Sequence, residues 1–239
     1  VNRAESRLGV GVIGAGRVGP VLARALAGAG HALTGITAIS SESRERAESM
    51  LPGVPILEPA EVVRRSELVL FAIPGSELPG LVGGLTATGA WQPGQLVIHT
   101  SPEHGTDVFG SAVAAGVIPL ALHPAVVFTG TSLDLGRLAG ATVAVTAPAP
   151  VLPIGQALAV EMGAEPVIVA EADRPAYAEA LAAATEFSRA VVRQAAEGLR
   201  ALGIERPDRV VGGVVRAAVE EELSAAAGSS AGPEGDALA

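Results

Sequence analysis

The sequence predicts an α/β protein, a doubly wound and mostly parallel sheet followed by a smaller, mainly helical domain. Short apolar, β-branched runs recur along the first two thirds of the chain and alternate with helix-patterned segments. These runs are apolar at consecutive positions, as strands covered on both faces are. Beyond about residue 150 the alternation gives way to long alanine-rich stretches.

Residues 8–13 form the first such run and end at a glycine. Residues 18–29 follow with helical spacing, and Gly28 and Gly30 mark the stop. A second strand is expected over 32–39. Ser40 and Ser41 are candidate N-caps for a polar helix over 42–50. The strand 68–73 is stopped by Pro74-Gly75, and 78–85 reads as a helix. Strands are expected at 95–99, 117–122 and 141–145, the last before a proline-rich loop. We place a domain boundary there, giving units 1–148 and 149–239. The second unit begins with a helix over 154–162 and a strand over 166–169. Two long helices follow, at 175–202 and 207–227, and a Gly/Ser/Ala-rich tail, 228–239, is expected to fray.

The chain has 239 residues and a formal charge of −9. A negative surface repels phosphate backbones and argues against nucleic acid as a partner. With no cysteine there is no disulfide, thiolate metal site or cysteine nucleophile, which fits a reducing cytoplasm. Residues 1–7 are polar and lack the apolar stretch of a secretory signal. The uncharged stretch 138–160 is interrupted by Pro148, Pro150 and Pro153, so it reads as strand, loop and helix, not as a membrane span. His99, His104 and His123 lack the tight spacing of metal ligands, and no metal is expected.

Gly14-Ala15-Gly16-Arg17-Val18-Gly19 follows the first strand and opens the first helix, the setting of a Rossmann dinucleotide-binding turn. The first glycine permits the tight turn, the second lets backbone approach a pyrophosphate, and the third lets helix and strand pack closely. The helix N-terminus offers N–H groups and the positive end of a dipole. An NAD site usually places an acid at the end of the second strand, where Thr37, Ala38 and Ile39 stand here. Ser40, Ser41, Ser43 and Arg44 suit a 2′-phosphate, so NADP is favoured and NAD stays open. Ligands in such sheets bind beyond the carboxyl ends of strands. Ala72-Ile73-Pro74, His99-Thr100-Ser101 and Leu122-His123-Pro124 lie at such ends. Of these, Ala72, Ile73, Pro74 and Thr100 are candidate cofactor contacts, and Ser101 and His123 candidate catalytic groups. Tyr177 and Glu186 fall in the long helix, where spacing alone favours an ordinary solvated or packed role.

The whole chain resembles a known family, the Rossmann-like proteins with a DUF2520 C-terminal domain. They are relatives of the 6-phosphogluconate dehydrogenase and ketopantoate reductase superfamily, here of actinobacterial type. The resemblance rests on GVIGAGRVGPVLARALAGAGH at 11–31, ELVLFAIP at 67–74, GQLVIHTS at 94–101, LALHPAVVFTGT at 120–131 and the helix over 173–203. It implies an NADP-dependent oxidoreductase that passes hydride to a small keto acid, and a homodimer through the C-terminal helices. The chain departs from the pattern at several places. The family's Val-Pro-Asp reads Ile73-Pro74-Gly75, and its His-Thr-Ser-Gly-Ala reads His99-Thr100-Ser101-Pro102-Glu103. Its Asn-His in the long helix reads Glu186-Phe187, which makes Glu186 a third candidate catalytic group. The family's closing segment is reduced to residues 230–236, so a shortened C-terminal domain is expected. Because fold alone does not fix chemistry, two functions stand side by side. One is the reductase. The other is a catalytically degenerate relative that binds a dinucleotide and serves as a sensor or subunit.

Overall fold

The computed structural model describes residues 7–229. The chain's first six residues, and all but the first two of the tail expected to fray, lie outside the described residues. Seven strands and nine α-helices occupy the described part. They are β1 (Gly9–Ile13), α1 (Gly19–Gly28), β2 (Ala32–Ile36), α2 (Ser41–Met50), α3 (Pro59–Arg64), β3 (Leu68–Phe71), α4 (Leu78–Ala87) and β4 (Leu96–His99). Next come α5 (Gly110–Val113), β5 (Ile118–Pro124), α6 (Leu133–Leu138), β6 (Thr142–Thr146), α7 (Leu152–Glu161), β7 (Glu165–Ile168), α8 (Arg174–Ala201) and α9 (Pro207–Ser229).

The strands form one sheet in the order β2-β1-β3-β4-β5-β6-β7. It is parallel from β2 through β5, β6 runs antiparallel to β5, and β7 returns parallel to β6. Alternation along each strand sorts side chains to two faces. Val12, Leu70, Ile98 and Leu122 pack with Leu22 and Leu26 of α1 and Leu158 of α7. Ile13, Val69, Phe71 and Val97 pack with Val62 and Val63 of α3 and Leu78, Val82 and Leu85 of α4. Apolar layers on both faces are what made the runs continuously apolar, and they confirm the doubly wound α/β class.

Two strands end earlier than expected. β2 stops at Ile36 and the chain then swings out, leaving Ile39 93% exposed. β3 stops at Phe71, although Ala72 N still donates to Ile13 O at 2.8 Å. Ser40 caps α2 as expected, its Oγ accepting from Ser43 N at 3.1 Å. The helix α3 was not foreseen, because six residues cannot display a helical period. The sheet also continues past residue 148: α7 crosses over and β7 pairs with β6 from Thr142↔Glu165 to Val145↔Ile168. The first compact unit accordingly runs to Glu179, and the second begins at Ala180.

The segment that joins β5 to the reversed β6 is organised around one carboxylate. Asp134, inaccessible to solvent yet shallow, accepts from Thr129 N (2.7 Å), Gly130 N (2.7 Å), Thr129 Oγ1 (2.9 Å) and Arg137 Nη1 (2.9 Å). Desolvation opposes its charge, but these donors outweigh it and hold the carboxyl below its ordinary value. A depressed pKa gives stability that is present above the unfolded value and lost as pH falls through the folded one. Asp134→Asn should therefore cost about 1–3 kcal/mol near neutral pH. The penalty should shrink once the pH is low enough to protonate the wild-type carboxylate. Urea denaturation of both proteins across the acid range measures it.

Candidate functional site

At the end of β1 the chain turns into α1 through Gly14 to Gly19. Gly14 has φ +108°, and a Cβ there would run into the carbonyl of Ala72 on the neighbouring β3 segment. At Gly19 a Cβ would strike Gly14 O, so these two glycines are required by packing. At Gly16 a Cβ would meet nothing within 4 Å. Its bareness is not needed by the protein's own packing; it keeps a surface open.

That surface belongs to a cleft of about 750 Å³ at the carboxyl ends of β1, β2 and β3. Gly14, Ala15, Gly16, Ser40, Ala72, Ile73 and Pro74 line it, together with Thr37, Ile39, Ser43, Leu57, Glu58 and Glu77. The turn is braced from behind: Thr37 Oγ1 accepts from Gly14 N at 2.9 Å, and Arg46 Nη1 donates to Ala15 O at 3.1 Å. Among the described residues, no group accepts from the backbone N–H of Ala15, Gly16 or Arg17. Unpaired N–H groups at a helix N-terminus, beside a bare Cα, fit a diphosphate.

The other expected cofactor contacts do not line the cleft. Gly19 is buried beneath it, Val18 is half-buried at the helix start, and Arg17 is exposed with its stem against Gly130. Ser41 and Arg44 sit on the exposed first turn of α2, where Arg44 Nε reaches Ile39 O at 3.4 Å. Thr100 continues the β3–β4 ladder, its N donating to Phe71 O at 3.2 Å. Glu58 and Leu57 were not foreseen. The bridge Ile36↔Ile56 lays that segment beside β2 and brings them into the cleft, a long-range pairing that no local pattern announces.

A second polar cluster gathers at the ends of β4 and β5. His99 is enclosed: its Nε2 donates to Gly105 O at 2.8 Å and its Nδ1 accepts from Ser101 N at 3.2 Å. Burial, with Arg174 and His104 nearby, lowers its pKa to about 4. Ser101 is 5% exposed, and its Oγ makes no hydrogen bond among the described residues. It lies next to the Glu103 carboxylate, which it helps hold below the ordinary range against desolvation, though their geometry falls short of a full hydrogen bond. Both converge on Gly75, whose missing Cβ would stand 2.7 Å from Ser101 Oγ. His104 Nε2 reaches Gly75 O at 3.1 Å, tying the post-β3 turn to this cluster.

His123, half-buried at the end of β5, pairs with Tyr177 OH through Nδ1 at 3.0 Å. Burial, with Arg174 nearby, lowers the pKa of His123 to about 4. Arg174 is fully enclosed. Its Nη2 donates to Ala121 O (2.9 Å) and Ala144 O (3.1 Å), and its Nε to Thr146 Oγ1 (2.7 Å). Arg174 and Tyr177 were missed in this role. The alanine-rich helix masks them, and only their i, i+3 spacing at its start hints at a shared face.

Glu186 lies on α8 in the second unit and is exposed. There the rest of α8 and α9 pack around Leu199 and Val211. Phe187, Val191, Val214 and Leu223 remain 72%, 57%, 70% and 66% exposed. No helix among the described residues is long and apolar enough to cross a membrane.

The Rossmann-like domain family matches residues 2–124. The chain belongs to that family. A domain of unknown function, DUF2520, matches residues 141–234. A curated relative, glycerol-3-phosphate dehydrogenase [NAD(P)+] of Methylobacterium radiotolerans, is 33% identical over 150 residues. That match takes in 57% of this chain and 44% of the relative, so the chain spans less than half of that enzyme's length. Among solved structures, an imine reductase from Pseudomonas sp. superposes with a TM-score of 0.68 at 16% identity, covering 93% of this chain and 77% of that one. The 1-pyrroline-5-carboxylate reductase of Streptococcus pyogenes gives 0.63 at 15%, covering 96% and 82%. A semialdehyde dehydrogenase NAD-binding protein from Cupriavidus necator, solved with calcium and NAD, gives 0.62 at 15%, covering 98% and 87%. The fold is thus shared with NAD(P)-linked oxidoreductases.

His99 and His123 both titrate near pH 4 in the folded chain, against about 6.5 for a free imidazole. The unfolded state therefore takes up more protons between these values, and stability should fall as pH drops from about 6.5 to about 4. His123→Gln should flatten that slope in urea titrations; an unchanged slope would count against a neutral, desolvated His123.

Proposed function

We propose that this chain is an NADP-dependent oxidoreductase acting on a small carbonyl substrate, a keto acid in the first instance. One observation carries the reading: Ala15 and Gly16, whose N–H groups are unused, line an open cleft, and the bareness at Gly16 serves no internal packing. β2 itself ends without an acid, although Glu58 enters the cleft from the neighbouring segment, and Ser40 and Ser43 line it there. With Arg44 one residue further on, they suit a 2′-phosphate better than two bare ribose hydroxyls, so NADP is preferred to NAD. Bound there, the cofactor supplies hydride.

The chain's own residues hold the substrate. His123 is neutral near pH 7 and keeps its Nε2 unengaged, so it serves to orient a carbonyl oxygen. The unpartnered Ser101 hydroxyl, enclosed just beyond the neighbouring β4, is a second polar group at the carboxyl ends of the strands. The names of the related proteins support this class: two are reductases and one a dehydrogenase [NAD(P)+]. Calorimetric titration should give tighter binding for NADPH than for NADH. Gly16→Val should abolish binding at unchanged melting temperature, whereas Gly19→Val should lower the melting temperature by several degrees. With ketopantoate as probe, His123→Ala should lower kcat/KM by at least about tenfold. No heat with either nucleotide at millimolar concentration would sink the cofactor assignment. Binding without turnover of any keto acid would favour the degenerate, regulatory relative.

We also propose a homodimer through the C-terminal helices. Phe187 and Val191 on α8, and Val214 and Leu223 on α9, are too exposed for a solitary helical pair. Sedimentation should report a dimer, and Phe187→Asp combined with Leu223→Asp should shift it to monomer. A wild-type monomer at concentrations of about 50 µM would refute it.

A further inference from the structure

The first turn of α8 packs against the paired strands β5 and β6. Arg174 pins it there through Ala121 O, Ala144 O and Thr146 Oγ1. Three residues on, Tyr177 shares that face, and its ring meets His123 nearly edge-on, with centroids 5.6 Å apart and planes at 77°. The phenol oxygen is 3.0 Å from Nδ1 of His123. Arg174 also stacks on the Tyr177 ring, 5.9 Å from its centroid. A rigid support on one side and a hydrogen bond on the other leave the imidazole a single orientation.

A neutral imidazole carries one proton, on either nitrogen, and the hydrogen bond at one nitrogen decides which. Burial raises the Tyr177 phenol above its ordinary value, so it stays protonated and able to donate. A phenol O–H is a stronger donor than a neutral imidazole N–H, and an imidazole lone pair is a stronger acceptor than a phenol oxygen, so the O–H···Nδ1 arrangement is favoured and Nδ1 accepts. The ring's own proton is then left on Nε2, which has no partner among the described residues.

We infer that Tyr177 is a positioning residue: its phenol donates to Nδ1 of His123 and fixes the ring as the Nε2–H tautomer, which presents a hydrogen-bond donor at the end of β5. A carbonyl oxygen needs a donor, whereas the opposite tautomer would turn a lone pair toward it. The charged or titratable groups that act on this ring are Arg174 and Tyr177 on α8 and Glu103 on the segment after β4. Arg174 opposes a second proton on His123 and thereby keeps the tautomer question open at neutral pH. The purpose assigned to the donor rests on the reductase reading, but the tautomer itself does not.

Nitrogen-15 NMR of the full chain, with histidine labelled, separates the two readings. Four histidines contribute signals, and His123→Gln identifies the relevant pair. Near pH 7 the wild type should show His123 as Nε2–H. Tyr177→Phe keeps the ring and removes only the donor; it should shift the tautomer ratio toward Nδ1–H by about fivefold, the worth of one hydrogen bond. With ketopantoate and NADPH the same variant should lose kcat by a comparable factor at little changed KM. If the wild type is the Nδ1–H form, or if the ratio is the same in Tyr177→Phe, the inference is overturned. If the tautomer behaves as stated while the wild type turns over no keto acid, the positioning role stands and the reductase reading fails. Should Tyr177→Phe not fold, the wild-type tautomer alone decides.

Discussion

The guanidinium of Arg174 is the interaction on which the joining of α8 to β5 and β6 depends. It is fully enclosed with no carboxylate at contact distance among the described residues. An unpaired buried charge costs several kcal/mol unless dipoles replace the lost water. Here two carbonyls and a hydroxyl do so, and Thr146 Oγ1 in turn donates to Val169 O. Desolvation still holds the guanidinium below its ordinary value, and Nη1 remains without a partner. The antiparallel turn of β6 makes this contact available, because it sets Ala121 opposite Thr146 and His123 opposite Ala144. One side chain thereby joins two strands and a helix. The same buried positive charge acts on the imidazoles around it, opposing protonation of both His99 and His123.

Most of the sheet was legible in the sequence because a strand covered on both faces has no polar positions to hide it. Runs such as Leu68–Phe71 and Leu96–His99 announce themselves, and so does a glycine turn set between such a strand and a helix. The direction of β6 was not legible. Its alternation is the same whichever way it pairs, and the connection before it is held by long-range and turn contacts such as Asp134 gathering the donors of Thr129 and Gly130, which no periodicity announces. Nor was the contribution of α8 to the β5 edge legible, since helical periodicity shows which residues share a face and not what that face covers. Glu58 was hidden for a similar reason: it reaches the cleft through a bridge between Ile36 and Ile56, far apart in the sequence.

The three fingerprint glycines illustrate how one pattern holds separate constraints. Gly14 answers to backbone conformation and to the carbonyl of Ala72, and Gly19 to the carbonyl of Gly14. Either would be demanded in a protein that bound nothing. Gly16 alone has no neighbour to avoid, so its lack of a side chain points outward, to whatever occupies the cleft. A pattern match counts all three alike; only the packing separates the structural glycines from the one that speaks to a ligand.

The same separation applies to the histidines. His99 and His123 lie on the same face of the sheet, two residues out of step across β4 and β5, and both are neutral. Sequence alone gives them equal standing, as imidazoles at strand ends. Their unused valence distinguishes them. His99 spends both nitrogens on Gly105 O and Ser101 N, fixing the loop after β4, and has nothing left to offer a substrate. His123 spends one, on Tyr177, and retains the other. Since a ring nitrogen already engaged in the protein's own hydrogen bonds cannot also hold a substrate, the chemistry of this edge falls to His123, and His99 is the scaffold that keeps the neighbouring loop in place.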